Sequence, residues 1–266
     1  MTASRDVEVG AEAGAHRSRW AGSRDVLLEL GFVAVALACY LAVRWYTLPR
    51  LDEATANARD VLGVERALGM NWERAVQDAT MALPPLNAFF TQVYVWGYFP
   101  VLLAAMVWLF LRHRDSYRRL RNLLLASGAA GMLVYAFFPC APPWMGGNGF
   151  TDTVTGDSLG EVARPSAIAN LTGAMPSFHV GWLMLAGVVV FEATRSFVLR
   201  VLCVVLPLLM AYAVVSTGNH WVLDIPAGLV LAGLTLAAVG YVGQVWPPRP
   251  EGVRSQHPVS RRAGRG

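Results

Sequence analysis

The sequence contains no lysine, only three cysteines and few charges, with 15% of its 266 residues Asp, Glu, Lys or Arg. Every one of the 22 basic residues is therefore an arginine, and the net charge of +4 cannot be read as a nucleic-acid footprint before those arginines are placed. Cys39, Cys140 and Cys203 are widely dispersed, and two of them lie in apolar runs. That spacing excludes a disulfide framework and a zinc-ligand cluster. The first 25 residues lack an apolar stretch followed by a small-residue cleavage site, so they read as a polar, disordered tail and not as a cleaved signal peptide. What is abundant is hydrophobic: 55% of the residues, with a mean hydropathy of +0.42. This is the composition of an integral membrane protein.

Apolar runs of membrane-spanning length are expected at about 26–46, 86–111, 122–138, 176–194, 197–216 and 221–243. The predicted fold is an all-α polytopic membrane bundle of six transmembrane helices with one or two outer interfacial helices. Its predicted organisation is a tail over 1–25, a membrane domain over 26–246 and a basic tail over 247–266. Arginine placement checks the count independently. The amino tail, the 112–121 loop, the turn with Arg195 and Arg200, and the carboxyl tail together hold 16 of the 22 arginines. Six crossings put all four on one face, which the positive-inside rule makes cytoplasmic. The expected location is a multi-pass cell-membrane protein with both termini inside.

The opposite face then carries 47–85, 139–175 and the turn at Gly218-Asn219-His220. Segment 47–85 mixes Asp52, Glu53, Asp60, Glu65, Glu73 and Asp78 with Val61, Leu62, Val64, Leu68, Trp72, Val76 and Leu83 at spacings of three and four. Such a pattern predicts one or two helices on the outer interface, with a break at Gly69, Asn71 as a possible cap and an end at Pro84-Pro85. A solvated connector is the bland alternative. Segment 139–175 opens Pro-Cys-Ala-Pro-Pro-Trp and runs through a Gly-, Asp- and Thr-rich stretch past Arg164. Its ends flank the chemistry-bearing region, and a loop of this length is usually functional or disordered.

Two short polar signatures stand out from the apolar background: Met175-Pro176-Ser177-Phe178-His179 and Thr217-Gly218-Asn219-His220-Trp221-Val222-Leu223-Asp224. Ionisable groups at the ends of membrane spans are functional-site candidates. His220 and Asp224 are four apart, so a helix would put them on one face and let the carboxylate hold one ring nitrogen. A histidine oriented in this way acts as a base or a nucleophile. Pro176 can open a helix whose first N–H groups, with the Ser177 hydroxyl, would make an anion site. His179 would stand beside the anion and could protonate a leaving oxygen. The bland readings are a histidine satisfied by its helix neighbour and a polar residue at an interface.

Pro-Ser-x-His followed some forty residues later by His-x-x-x-Asp resembles the second and third signatures of the type 2 phosphatidic acid phosphatase superfamily, a six-span membrane fold shared with vanadium haloperoxidases. The Ala-Pro-Pro within Pro139 to Trp144, Ala174 to Ser177, Thr217 to His220, and Glu65-Arg66, Gly69, Glu73, Gln77 and Tyr94 to Pro100 are similar to its inositolphosphotransferase-like branch, named for fungal inositol-phosphorylceramide synthase. The resemblance implies metal-independent, cofactor-free hydrolysis or headgroup transfer on a phosphorylated lipid at the outer face. His220 would attack phosphorus, Asp224 would orient it, and His179 would serve as acid and then base. It also implies phosphate contacts from Ser177, Phe178, Gly218 and Asn219, a possible polyol or sugar acceptor, and no nucleic-acid partner. The oligomeric state is open. Superfamily members often carry Lys-x6-Arg-Pro and an arginine six residues before the second histidine. Here lysine is absent, position 214 is Val214, and Trp144 follows the two prolines. By elimination Arg164, the only arginine between the third span and Pro176, is the first candidate clamp, with Arg66 and Arg74 next.

Two other classes compete. Ser177 and His220 could form an intramembrane serine protease dyad, although Gly-x-Ser-Gly is lacking and His179 would be idle. His179 and His220 could instead be axial ligands of a haem, although both are expected at helix ends beside polar residues. Glu192 is expected to pair with Arg195 at the interface, and Tyr94, Trp96, Tyr98 and Phe99 read as membrane packing. His16, His113 and His257 fall on the cytoplasmic side, and Cys140 is single.

Overall fold

The computed structural model describes residues 23–146, 149–154 and 170–245, so residues 1–22 of the expected amino tail, the carboxyl tail and Arg164 fall outside the described residues, while residues 23–25 already belong to the first helix. Contacts divide the chain into two compact units, Met1–Cys39 and Tyr40–Gly266, and the first helix runs through the division. That helix is α1 (Ser23–Thr47). The second unit continues with α2 (Leu51–Leu68), α3 (Glu73–Met81), α4 (Pro84–Trp96), α5 (Phe99–Arg112), α6 (Arg114–Phe137), α7 (Phe178–Ala193), α8 (Phe197–Ser216) and α9 (Asp224–Val245). The described residues hold no strand, only a single bridge between Cys140 and Gly173. The all-α membrane bundle expected from the sequence is what forms.

Four helical runs are long and apolar enough to cross a membrane: Val26–Leu68, Arg114–Phe137, Phe197–Ser216 and Asp224–Tyr241. The apolar window of the first lies near its amino end, within α1. A fifth crossing is α4 and α5 taken as a pair, bent by 42° where Gly97, Tyr98 and Pro100 interrupt the expected continuous span. The sixth expected span, α7, has only 16 residues, about 24 Å of helix against the roughly 30 Å of a hydrocarbon core. It is short because Ser177, its N-cap, is wholly buried, so the helix begins inside the bundle. A second correction concerns the arginine-rich loop at 112–121. It shrinks to a break at His113, and Arg114, Arg118, Arg119 and Arg121 ride on the first turns of α6.

The short helix α7 is the axis of packing. One side of it, Leu185, Ala186 and Val189, meets Leu102 and Leu109 of α5, Leu120 and Leu123 of α6, and Ala232 of α9. The other side, Val180 and Leu183, meets Met210, Ala213 and Val214 of α8. A helix apolar on all sides is buried on all sides. Two glycines set the closeness of these helices: a methyl added at Gly181 would lie 2.8 Å from the Gly228 carbonyl oxygen, and one at Gly187 2.7 Å from that of Cys203. Small residues at such crossings let backbones meet, as membrane helix pairs require.

At one end of this bundle Arg119 of α6 pairs with Glu192 of α7, in place of the Arg195 partner expected for that carboxylate. At the other end lie the amino ends of α7 and α9, the carboxyl end of α8 and the loop leaving α6. The 47–85 segment forms the two helices expected. Gly69, at φ +67°, closes α2 with hydrogen bonds from Gly69 N–H to Arg66 O and Met70 N–H to Glu65 O. The cap of α3 is Trp72, not Asn71. Ala54, Ala58, Val61 and Leu62 of α2 pack on Cys140, Ala141, Ala174 and Trp221. The apolar residues Val64, Leu68, Trp72 and Leu83 point outward and stay exposed.

Candidate active site

The two signatures converge at that second end. His220 Nδ1–H donates to Asp224 Oδ2 at 3.0 Å, and the Trp221 N–H donates to the same oxygen at 2.9 Å. The route differs from the one expected. His220 is not on a helix: residues 217–223 form turns, and Asp224 is the first residue of α9. The carboxylate reaches back over its own helix start, which a four-residue turn allows as readily as a helical face. Because an ionised carboxylate only accepts, Nδ1 carries the proton and Nε2 is left with its lone pair.

That Nε2 lies 3.2 Å from His179 Nδ1 and 3.5 Å from Ser177 Oγ. The imidazole rings have centroids 5.3 Å apart and stand edge to face. His220 is 4% exposed, and Asp224 and Ser177 are 0% exposed, while His179 is half-buried. His179 is clasped by two tyrosines. Tyr94 stacks on it with centroids at 4.8 Å and Tyr98 tilts against it at 4.3 Å. These two were expected to be membrane packing. Tyr94 lies in α4 and Tyr98 is the N-cap of α5, so helical spacing does not relate them, and their shared partner is on another helix.

Ser177 leads into α7. Its N–H donates to the Asp224 carbonyl at 3.0 Å, which ties the two signatures together through the main chain. The intrahelical ladder of α7 starts with Gly181 N–H to Ser177 O, so the N–H groups from Phe178 onward open the helix at the site. The Phe178 ring turns away, edge to face with Tyr135 at 5.4 Å, while the Tyr135 hydroxyl donates to Pro176 O at 2.9 Å. Asn219 lines the same cleft as His179 and His220, together with Tyr94, Pro142 and Asn170. Its Nδ2 donates to Thr217 O and Thr217 Oγ1, both at 3.1 Å. Gly218 takes φ +74° and faces the other way. A methyl there would lie 2.7 Å from Thr151 O and 2.8 Å from Gln77 Nε2. Its part is to turn the chain, and its carbonyl accepts from Trp144 N–H at 3.3 Å.

Both ends of the long 139–175 loop are pinned here. Cys140 N–H donates to Thr172 O, Ala174 N–H donates to Cys140 O, and Trp221 Nε1–H donates to Ala141 O at 2.9 Å. Asn57 of α2 donates to Pro139 O at 2.8 Å. Burial pushes the Cys140 thiol far above its ordinary range, so it is no nucleophile. Of the arginines considered as clamps, Arg74 donates to Asp78 and to Gly149 O, and Arg66 is exposed. Arg164 lies outside the described residues.

Two glutamates named in the sequence only as part of the 47–85 pattern and of the branch resemblance take a place at the site that the sequence reading did not assign. Glu65 and Glu73 are buried, and their Oε1 atoms accept from Leu223 N–H at 2.7 Å and Val222 N–H at 2.8 Å. The signal was periodicity. Glu65 continues the inward face Ala54, Ala58, Val61 and Leu62 of α2, and Glu73 shares the inward face of α3 with Gln77 and Thr80.

Chemically, the set comprises an oriented imidazole with an unprotonated Nε2, a second imidazole hydrogen-bonded to it, and a helix start beside both. Such a set performs nucleophilic attack with proton transfer. A haem cannot be seated between nitrogens 3.2 Å apart. Ser177, His220 and Asp224 do follow the order of a serine triad, but the 3.5 Å contact is the longest in the group and Nε2 is closer to His179.

The profile of the PAP2 superfamily matches residues 59–238, a span that runs from α2 to α9 and contains both signatures. Comparisons with curated proteins and with solved structures give no significant match.

Proposed function

The chain belongs to the PAP2 superfamily, and from this premise we propose a membrane-embedded enzyme that cleaves or transfers the phosphoryl group of a phosphorylated lipid at the extracytoplasmic face, through a phosphohistidine on His220. The observation that carries it is the Asp224–His220–His179 line, with contacts of 3.0 and 3.2 Å. Phosphoryl or phosphodiester chemistry on phosphorylated substrates is what this superfamily does. The lipid substrate, the outer face and the covalent intermediate are the finer reading, supported by the apolar helices, the arginine distribution and the two-histidine geometry.

The steps balance as follows. His220 Nε2 forms the N–P bond as the P–O bond to the leaving group breaks, and Asp224 stabilises the positive charge that develops on the ring. His179 gives its proton to the departing oxygen. Water or an alcohol then loses a proton to His179 and attacks phosphorus, which breaks the N–P bond and restores both imidazoles. The N–H groups at the start of α7 would face the phosphoryl oxygens, as helix starts do for phosphate. The Ser177 hydroxyl, Asn219 and Arg164 remain proposed phosphate contacts.

The second half-reaction is hydrolysis when water attacks the phosphohistidine and transfer when a polyol or sugar does. Incubating the purified protein in vesicles of labelled phosphatidic acid, with and without added inositol, tests this reading. Released inorganic phosphate signifies hydrolysis and a labelled polyol phosphate signifies transfer. Neither product, with a fluorophosphonate adduct on Ser177, would replace the proposal with the serine-hydrolase reading.

A further inference from the structure

Three consecutive backbone N–H groups, those of Trp221, Val222 and Leu223, lead into α9. Each is taken by a carboxylate from a different element: Asp224 Oδ2 at 2.9 Å, Glu73 Oε1 at 2.8 Å and Glu65 Oε1 at 2.7 Å. An array of N–H groups at a helix start is ordinarily an anion site. Here the protein fills it with its own carboxylates, which leaves the start of α7 as the helix end open to a substrate anion.

Glu65 and Glu73 come from the two helices before the membrane bundle, and both are essentially unexposed, at 0% and 1%. Glu65 Oε2 is buried with no hydrogen-bond partner among the described residues, and Glu73 is the neighbouring carboxyl. Gln77, one turn beyond Glu73, continues the same surface. Its Nε2 donates to Thr151 O and Ser216 O, and its Oε1 accepts from Thr151 N–H at 2.9 Å. Thus α2 and α3 together grip the main chain on both sides of His220, at 216 and at 222–223.

We infer that Glu65 and Glu73 are positioning residues for the nucleophile: they clamp the Val222 and Leu223 amides and thereby fix the turn that aims His220 Nε2 at the substrate. The inference rests on the reading of His220 as nucleophile. Neither glutamate touches the reacting atoms. They act through two and three residues of main chain, and a displacement of about 1 Å at a reacting atom is enough to lower a rate by about 100-fold.

The experiment compares the full-length protein in nanodiscs with Glu73→Ala, Glu73→Gln, Glu65→Ala and Glu65→Gln. Glutamine keeps an acceptor oxygen for the amide, and its NH2 finds the neighbouring carboxyl. With phosphatidic acid vesicles, each alanine variant should lose about 100-fold in kcat with KM unchanged. Each glutamine variant should stay within about threefold. Amide exchange over Trp221–Asp224, which requires no substrate, should accelerate at least tenfold in the alanine variants and return in the glutamine ones. If the alanine variants exchange at the wild-type rate, or melt earlier while the folded fraction turns over normally, the clamp is refuted. If the wild type turns over no phosphorylated lipid, the functional reading fails, and exchange alone still decides whether the clamp exists. Should Glu73→Ala not fold, Glu73→Asp, which shortens the reach, replaces it with the same two readouts.

Discussion

Replacing Asp224 by asparagine changes one atom and reverses a proton. In the native site the carboxylate accepts from His220 Nδ1–H and from Trp221 N–H, both on Oδ2. An asparagine with its oxygen in that place keeps both bonds through a neutral acceptor, whereas with its NH2 turned toward the ring it forces Nδ1 to accept. The proton then moves to Nε2, where the attacking lone pair is needed. Two losses combine. A hydrogen bond to a charged acceptor is worth about 1.5–3 kcal/mol, roughly 10- to 150-fold in rate. The wrong tautomer adds to it, and the same change in the His–Asp pair of a serine protease costs about 10⁴-fold in kcat. The expectation for Asp224→Asn is accordingly a fall of about 10⁴ in turnover of labelled phosphatidic acid, with vesicle binding little altered. Because the side chain is wholly buried, folding must be checked in parallel by melting in detergent. A folded Asp224→Asn protein within tenfold of wild type would refute the tautomer argument.

Other expectations follow from single contacts. Tyr98→Leu removes a ring 4.3 Å from His179; with aromatic pairs worth about 0.5–1.5 kcal/mol, kcat should fall roughly 3- to 10-fold at constant KM. Unchanged turnover would make Tyr98 mere packing. Gly218→Ala combines a left-handed φ with crowding against Thr151 and Gln77, whereas Gly69→Ala meets nothing within 4 Å. Left-handed strain of about 1–3 kcal/mol falls on both variants, so the crowding at Gly218 should make Gly218→Ala lower the unfolding midpoint clearly more than Gly69→Ala, and equal shifts would contradict the packing. Cys140 should resist thiol reagents until the protein is unfolded, since its thiol is buried and held protonated; rapid labelling of folded protein would contradict this.

The bundle was legible in the sequence because hydrophobic length is a one-dimensional signal. The expected spans map onto α1, α4–α5, α6, α7, α8 and α9, with α7 shorter than a full crossing. The histidines were legible because polar groups at the ends of apolar runs are conspicuous. What failed was geometry that depends on turns. The His220–Asp224 contact forms, but across a helix start and not along a helix. The arginine-rich loop vanished because Arg114 to Arg121 are good helix formers that continue into α6. Glu65 and Glu73 were read as the polar side of interfacial helices because acidic residues usually face water. Their buried position becomes intelligible only with the amides of residues 222 and 223 in view, about 150 residues later in the chain. The same long-range blindness hid Tyr94 and Tyr98, whose partner His179 lies on another helix.

The central claim is that His220 carries phosphorus during turnover. Rapid quenching of the wild-type protein with labelled phosphatidic acid, followed by peptide mapping, tests it most directly. The account predicts acid-labile, base-stable label on His220, building up in His179→Ala and absent from His220→Ala. Label on Ser177, or turnover that survives in His220→Ala, would contradict it.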